Sequence, residues 1–374
     1  MKILFDHQIF VSQKLGGVSR YFYEIANLIN KVPGSKVEIF APLYVNEYFI
    51  ESSSIRPTGL MRPKRPRLTR IVNMVNDFLP RLFIRRRKDV DIFHETYYTM
   101  ADNCPASARR IITVYDMIHE IFPEYFEPGL LSRFLKIKAH AINRADHVIC
   151  ISENTKIDLI KLLAIPEEKI SVVHLGSSLI QNHHVDSVTD TGVQKPYLLF
   201  VGNRTGHKNF NRLLHAYAKF PLLRDKFQLV CFGGDVFSPD EIQLVHSLSL
   251  DTDRILHIKG GDSYLADIYA SASALVYPSI YEGFGIPPLE AMLLGCPVIS
   301  SNSSSLPEIL GDAAEFFDPV DITAIGMAIT RVVTDPERCK SLITAGQIRA
   351  QSFSWEKCAK NTLDVYQQVL SRES

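Results

Sequence analysis

Residues Tyr277–Ala291 read YPSIYEGFGIPPLEA, and the apolar run ALVY (274–277) leads into them. A four-residue apolar run closed by Pro278 reads as a buried strand that stops there. Gly283 and Gly285 then make a loop, and Pro287 or Pro288 can open a helix, because the first helical turn has no use for the missing N–H. The order is strand, glycine loop, helix. Glu282 lies in the loop and Glu290 in the first helical turn, eight residues on, so both carboxylates face the edge where the strand ends. A carboxylate at a helix start can be a simple complement to the helix dipole. An acidic pair flanking GFGIPPL is a rarer pattern and asks for a ligand.

The same rhythm extends outward in both directions. Short apolar runs occur at Lys2–Phe5, Val37–Phe40, Ile92–His94, Arg110–Val114, His147–Ile151 and Ile170–His174. After residue 195 they resume at Tyr197–Val201, Gln228–Phe232, Ile255–Ile258, Ala274–Tyr277 and Pro297–Ser300. Helix-period segments lie between them, among them Ser19–Asn30, Asn211–Lys219, Tyr264–Ala270 and Pro288–Leu294. Alternation of this kind implies α/β architecture with parallel sheets covered on both faces. Residues 176–195 are polar and aperiodic and read as a linker. The expected fold is two doubly wound, Rossmann-like domains facing a cleft, over 1–180 and 195–353. The helix from Trp355 onward has no partner fixed by pattern alone.

The 374 residues exceed one hydrophobic core, and 46% hydrophobic with 22% charged residues is ordinary globular composition. A formal net charge of zero gives no support to a nucleic-acid partner. The six cysteines are scattered without a CxxC pair, which offers neither a zinc cluster nor a disulfide framework and fits a reducing, cytoplasmic setting. No apolar run approaches the length of a membrane span, and MKILFD reads as a first strand rather than a signal peptide.

Two further loops carry chemistry. Gly16-Gly17 precede an amphipathic helix, where paired glycines and the helix amino terminus can receive an anion; a tight turn explains them equally well. Gly202-Asn203-Arg204 and His207-Lys208-Asn209 leave the first strand of the second half, placing two cations where a diphosphate can be held; a solvated pair is the plain alternative. Neither loop is GxGxxG, which argues against an ordinary dehydrogenase.

The Glu282–Glu290 stretch is similar to the Glu-x7-Glu signature of glycosyltransferase family four, retaining enzymes of the GT-B fold. GGVSRYFYEI, TVYDMIHEIFPEYF, FVGNRTGHKN, LPEILGDAAEFFDP and FSWEKCA resemble family segments in the same order along the chain. The phrasing is closest to bacterial enzymes of O-antigen and capsule assembly, often mannosyltransferases.

The resemblance implies roles. Glu290 would take the donor's ribose hydroxyls. Glu282, with the amides of Phe284 and Gly285 beside Gly283, would hold the transferred sugar. Arg204 and Lys208, after Gly202, would neutralise the diphosphate, with Gly16 and Gly17 on its other side. Helix 355–374 would pack back onto the first domain. Many relatives carry His-Asp at the end of the fifth strand, where this chain has Tyr115-Asp116. His119 is therefore the first candidate for that histidine's work, Asp116 the second, and Tyr115 a remaining alternative. The expected donor is a nucleotide-diphosphate sugar, GDP-mannose first and a UDP-sugar second. The acceptor would be a saccharide or lipid-linked saccharide, and neither a cofactor nor a metal is expected. Asp89-Val90-Asp91 and Asp251-Thr252-Asp253 match a metal-binding Asp-x-Asp pattern, but each precedes a strand, at the edge away from the ligand. A nucleotide-sugar epimerase on the same fold and a non-catalytic nucleotide-sugar binder are the competing readings.

The stretch Arg56–Lys88 joins RPKRPRLTR, the apolar IVNMVNDFLPRLFI and RRRK, with Asp77 its one acid before Asp89. A basic amphipathic helix suits an anionic membrane surface at the inner face of the cell membrane; a solvated charge run is the ordinary meaning.

Overall fold

The computed structural model describes residues 1–50, 55–61, 69–177, 193 and 196–372. The expected linker at 176–195 lies almost wholly outside the described residues. Contacts divide the chain into Met1–Gly176 with Trp355–Ser374, and Ser177–Ser354.

In the first unit seven strands run parallel: β1 (Lys2–Phe5), β2 (Lys36–Tyr44), β3 (Thr58–Met61), β4 (Ile92–Glu95), β5 (Arg109–Val114), β6 (His147–Cys150) and β7 (Ile170–Val172). Their order is β3-β2-β1-β4-β5-β6-β7, so the winding reverses between β1 and β4. β3 was not legible in its sequence, TGLM. It sits at the sheet edge, and Gly59 allows it: a Cβ there would stand 1.8 Å from the Ala41 carbonyl oxygen. The helix Trp355–Ser371 packs on the helix Gly17–Ile29. Its Tyr366 hydroxyl lies 2.6 Å from His94 Nδ1, and His94 Nε2 lies 2.9 Å from the Thr113 hydroxyl. A buried histidine with both nitrogens engaged ties the carboxy-terminal helix to the middle of the first sheet.

In the second unit six strands run parallel: β8 (Tyr197–Val201), β9 (Gln228–Phe232), β10 (Ile255–Ile258), β11 (Ala274–Tyr277), β12 (Val298–Ser301) and β13 (Ala314–Phe317). The order β10-β9-β8-β11-β12-β13 reverses between β8 and β11. Leu198, Phe200, Leu229, Val276 and Ile299 build the core with Phe210, Leu213 and Tyr217 of the helix Phe210–Lys219. Each such side chain contributes about 1.5–3 kcal/mol on burial.

Both sheets are therefore doubly wound and parallel, as the strand–helix alternation predicts. In such sheets the carboxyl ends of the two strands flanking the reversal leave a crevice between diverging loops.

Candidate functional site

In the second unit the reversal point gathers the sequence motifs. β8 ends at Val201 and β11 at Tyr277, and the loops after them are neighbours although 74 residues separate Lys208 from Glu282. Lys208 Nζ lies 2.6 Å from Glu282 Oε1 and 3.3 Å from the Tyr277 hydroxyl. Burial opposes charge on both partners. The Glu282 carboxylate more than offsets this at Lys208, whose pKa is raised; the ammonium in turn holds Glu282 below the usual carboxylate value. The pair is charged at neutral pH.

The glycine loop is built rather than loose. Ser304 Oγ donates to the Glu282 carbonyl at 2.5 Å and accepts from the Glu282 N–H at 3.2 Å. Ser305 Oγ donates to the carbonyls of Glu282 and Phe284, at 2.9 and 3.1 Å. Gly285 has φ 105°, and a Cβ there would meet Leu306 Cδ2 at 2.8 Å. Gly202 has φ 124° at the end of β8, again a conformation that favours glycine. Phe284 is buried against Phe353 in an edge-on contact at 5.7 Å. Gly285 caps the helix Ile286–Leu293, which carries Pro287 and Pro288 in its first turn. Glu290 is buried on that helix and accepts from the Tyr269 hydroxyl at 3.3 Å. Ser304, Ser305, Tyr269 and Tyr277 were missed in the sequence. A serine run and two strand- or helix-borne tyrosines carry no signal until folding brings them to the loop.

Arg204 is held by Glu241 and by the loop after β9. Its Nε lies 2.7 Å from Glu241 Oε1, its Nη1 3.4 Å from the Gly233 carbonyl oxygen, and its Nη2 2.5 Å from that of Asp235. The guanidinium also lies 4.5 Å from the Phe237 ring centroid. A buried guanidinium with all three nitrogens engaged is committed to the β9 loop and to Glu241, which also closes the capping box of the helix Pro239–Ser247. Lys208, from the same loop, pairs instead with Glu282.

In the first unit the reversal lies between β1 and β4. Asp6, just beyond β1, accepts from the Thr96 N–H at 2.8 Å and from its hydroxyl at 2.5 Å, joining the two strand ends. Tyr115, at the end of β5, is buried and donates its hydroxyl to the Thr96 carbonyl at 3.3 Å. Lys138, itself buried, donates to the Asp116 carbonyl and to Glu120 Oε2, both at 2.8 Å, and so holds the loop that follows. His119 Nδ1 stands 3.9 Å from Asp116 Oδ1, and the ring is sandwiched by Phe126 and Phe134 at centroid distances of 4.2 and 4.4 Å. Burial lowers its pKa, with Asp116 opposing, so the imidazole is neutral at neutral pH. Gly16 caps the helix Gly17–Ile29. Gln13 covers part of that terminus: its Oε1 accepts from the Ser19 N–H at 3.1 Å, and a Cβ on Gly16 would collide with the same group.

The two Asp-x-Asp matches have local partners. Asp89 accepts from Arg87 Nε at 2.9 Å, and Asp91 from the Lys2 N–H at 2.6 Å. Asp251 caps the turn before β10 by accepting from Asp253 N–H.

The description "Glycosyltransferase Family 4" matches residues 15–179, and "Glycosyl transferases group 1" matches residues 186–349. The O-antigen chain mannosyltransferase B of Escherichia coli is 30% identical over 267 residues, 69% of this chain and 70% of that one. Among solved structures, sucrose-phosphate synthase of Thermosynechococcus elongatus superposes with a TM-score of 0.78 at 22% identity, over 99% of each chain. The Anabaena protein HepE, solved with UDP and glucose, gives 0.75 at 18% identity, over 98% of this chain and 100% of that one. The doubly wound pair of sheets is thus the fold of those structures. With a family-4 match in its first half, a group-1 match in its second, and the Lys208–Glu282 pair at the reversal of the second sheet, this chain belongs to the glycosyltransferases.

Proposed function

We propose that the protein transfers a hexose, mannose first, from a nucleotide-diphosphate sugar to a saccharide or lipid-linked saccharide during surface-polysaccharide assembly, with retention of configuration and without a metal. The observation that carries this reading is the Lys208–Glu282 pair beside the Gly285–Glu290 helix start. As the anomeric bond breaks, negative charge builds on the diphosphate, and a preorganised ammonium at the strand end stabilises it. Glu282 would exchange Lys208 for hydroxyls of the transferred sugar, and Glu290 would accept from the ribose. The leaving phosphate oxygen can take the acceptor's proton on the face it vacates, which gives retention. Arg204 acts through the loop it braces. GDP-mannose is the first donor, in line with the activity named for the E. coli relative; a UDP-sugar is the second, in line with the Anabaena complex. The test is thermal shift and calorimetry with both donors, then product analysis by NMR. Tighter binding of GDP-mannose and an α-linked product are expected; no stabilisation by either donor, or inversion at the anomeric carbon, would sink the reading.

Attachment to an anionic membrane surface is part of this proposal. Residues 62–68 lie outside the described residues, but the helix Thr69–Phe83 carries the apolar ridge. Met74 and Phe78 are 63% and 61% exposed, and Leu82 and Phe83 continue the same stripe, flanked by exposed Arg81, Arg85 and Arg86. On its other side Asn76 is buried and bonds the N–H and carbonyl of Leu43, both at 3.0 Å, fixing which face looks outward. Sedimentation with anionic liposomes should fall with salt and with Arg85, Arg86, Arg87 and Lys88 replaced by Ser. Indifference of the wild type to such liposomes at low salt refutes it.

A further inference from the structure

The glycine loop after β11 is held from the segment that follows β12. Ser301 ends that strand, and residues 302–305 lead into the helix Leu306–Leu310. Three hydroxyls of this segment reach carbonyls of the loop. Ser301 Oγ donates to the Ser279 carbonyl at 2.5 Å and Ser304 Oγ to that of Glu282 at 2.5 Å. Ser305 Oγ stands 2.9 and 3.1 Å from the carbonyls of Glu282 and Phe284. Ser304 does more than its neighbours. The same oxygen accepts from the Glu282 N–H at 3.2 Å, so one side chain engages both backbone groups of one residue. The Ile280 N–H, donating to the His207 carbonyl at 2.7 Å, ties the loop to the one that carries Lys208.

Ser304 holds this position at φ 58°, in the left-handed region that side chains other than Asn and Asp rarely adopt. A glycine would sit there without strain, and strained residues of this kind cluster where a site needs a fixed geometry. What glycine would lack is the hydroxyl, and the effect of the hydroxyl is geometric. All described peptide bonds are trans, and in a trans peptide the carbonyl and the following N–H point in opposite directions. Drawing the Glu282 and Phe284 carbonyls toward the serines therefore turns the N–H groups of Gly283 and Gly285 away from them. Neither N–H has an acceptor among the described residues. With both its polar backbone groups pinned, Glu282 reaches Lys208 Nζ at 2.6 Å from one fixed base. We propose that Ser304 is a positioning residue, whose hydroxyl sets where the Glu282 carboxylate stands and hence the geometry of the Lys208–Glu282 pair. Its importance for sugar transfer rests on the function proposed above; the positioning itself does not.

Ser304→Gly and Ser304→Ala both remove the hydroxyl but differ in strain. Glycine relieves the left-handed backbone and alanine does not, so Ser304→Gly is expected to melt above Ser304→Ala. If the serine were merely structural, every other property would follow that order. A positioning serine makes the two variants alike. The first readout needs no substrate: stability of the full chain between pH 7 and pH 3. Glu282 faces Lys208, Tyr277 and His207, and Lys208 is what holds its carboxyl below the ordinary value. The stabilisation this gives is lost as pH falls, and both serine variants are expected to flatten that drop, as Glu282→Gln does. The second readout is calorimetry with GDP-mannose against GDP. Both variants are expected to bind the sugar nucleotide about tenfold to a hundredfold more weakly, the scale of losing a hydrogen bond to a charged group, with GDP affinity kept. A wild-type acid profile in Ser304→Gly overturns the proposal. So does sugar-nucleotide affinity that is intact in Ser304→Gly and reduced in Ser304→Ala. A wild type that binds neither GDP-mannose nor a UDP-sugar sinks the sugar-transfer reading alone, and the acid profile still decides the role of Ser304.

Discussion

Lys208 and Glu282, on loops that leave β8 and β11, meet at 2.6 Å because the second sheet reverses its winding between those two strands. Each is the principal counter-charge of the other in a partly buried setting. Removing one leaves the other uncompensated; for a fully buried pair this costs about 3–5 kcal/mol, and this partly buried one should lose somewhat less. Lys208→Ala and Glu282→Ala should therefore each destabilise strongly in urea denaturation, and the double variant should lose less than the sum. Lys208→Ala should also lower turnover by roughly 10²–10³-fold, as for one preorganised charge-stabilising group. Additive stability losses would mean the pair is not coupled.

The pair sets a pH dependence. Glu282 titrates below its ordinary value in the folded protein, so its contribution is present above the unfolded value, about 4.3, and is lost as pH falls through the folded one. Lys208 is raised, so its contribution is present at neutral pH and is lost only in strong base. Stability followed from pH 7 to pH 3 should drop in the acid range, and a Glu282→Gln variant should show a shallower drop. Identical profiles would remove Glu282 from the account.

Arg204→Ala should act through structure. Its partner Glu241 also holds the start of the helix Pro239–Ser247, so Arg204→Ala and Glu241→Ala should both lower Tm and be strongly non-additive. Loss of turnover in a fully stable Arg204→Ala, with Glu241→Ala silent, would return Arg204 to the phosphates.

Glu290→Ala should weaken donor binding by about 1.5–3 kcal/mol, the cost of a lost charged acceptor. Tyr269→Phe removes one hydrogen bond to the same carboxylate and should cost less, about 0.5–1.5 kcal/mol. Calorimetry with GDP measures both. Undiminished affinity in a folded Glu290→Ala would take the ribose contact elsewhere.

His119 and Asp116 separate packing from chemistry. His119→Phe keeps an aromatic ring between Phe126 and Phe134, whereas His119→Ala removes it. If the imidazole acts on the sugar, both variants lose transfer while Asp116→Asn loses less. Full transfer by His119→Phe would make the residue a packing group and leave the work to Asp116 or Tyr115. Because burial lowers the His119 pKa, its neutral form adds stability above about pH 6.5 that fades as pH falls below it, and His119→Phe should remove that slope.

Some of this architecture is local and so is written in consecutive residues. Strand runs such as Tyr197–Val201, Gln228–Phe232 and Ala274–Tyr277 lie where pattern puts them, because burial on both faces demands unbroken apolar residues. The glycine loop and proline-started helix at 283–290 are likewise legible, since backbone sterics act within a few residues. β3 and β13 were not, because TGLM and AEFF owe their strand conformation to a neighbouring strand's hydrogen bonds.

Partnership was decided by the tertiary structure alone. The cations Arg204 and Lys208 stand four residues apart and look alike in the chain. One is taken by Glu241 and the carbonyls after β9, the other by Glu282 after β11. Sequence determined the alternation that makes two parallel sheets and the residues that can carry charge at their strand ends. Strand order determined which charges meet, because contact between loops distant in sequence depends on which strands pair, and no local propensity encodes that.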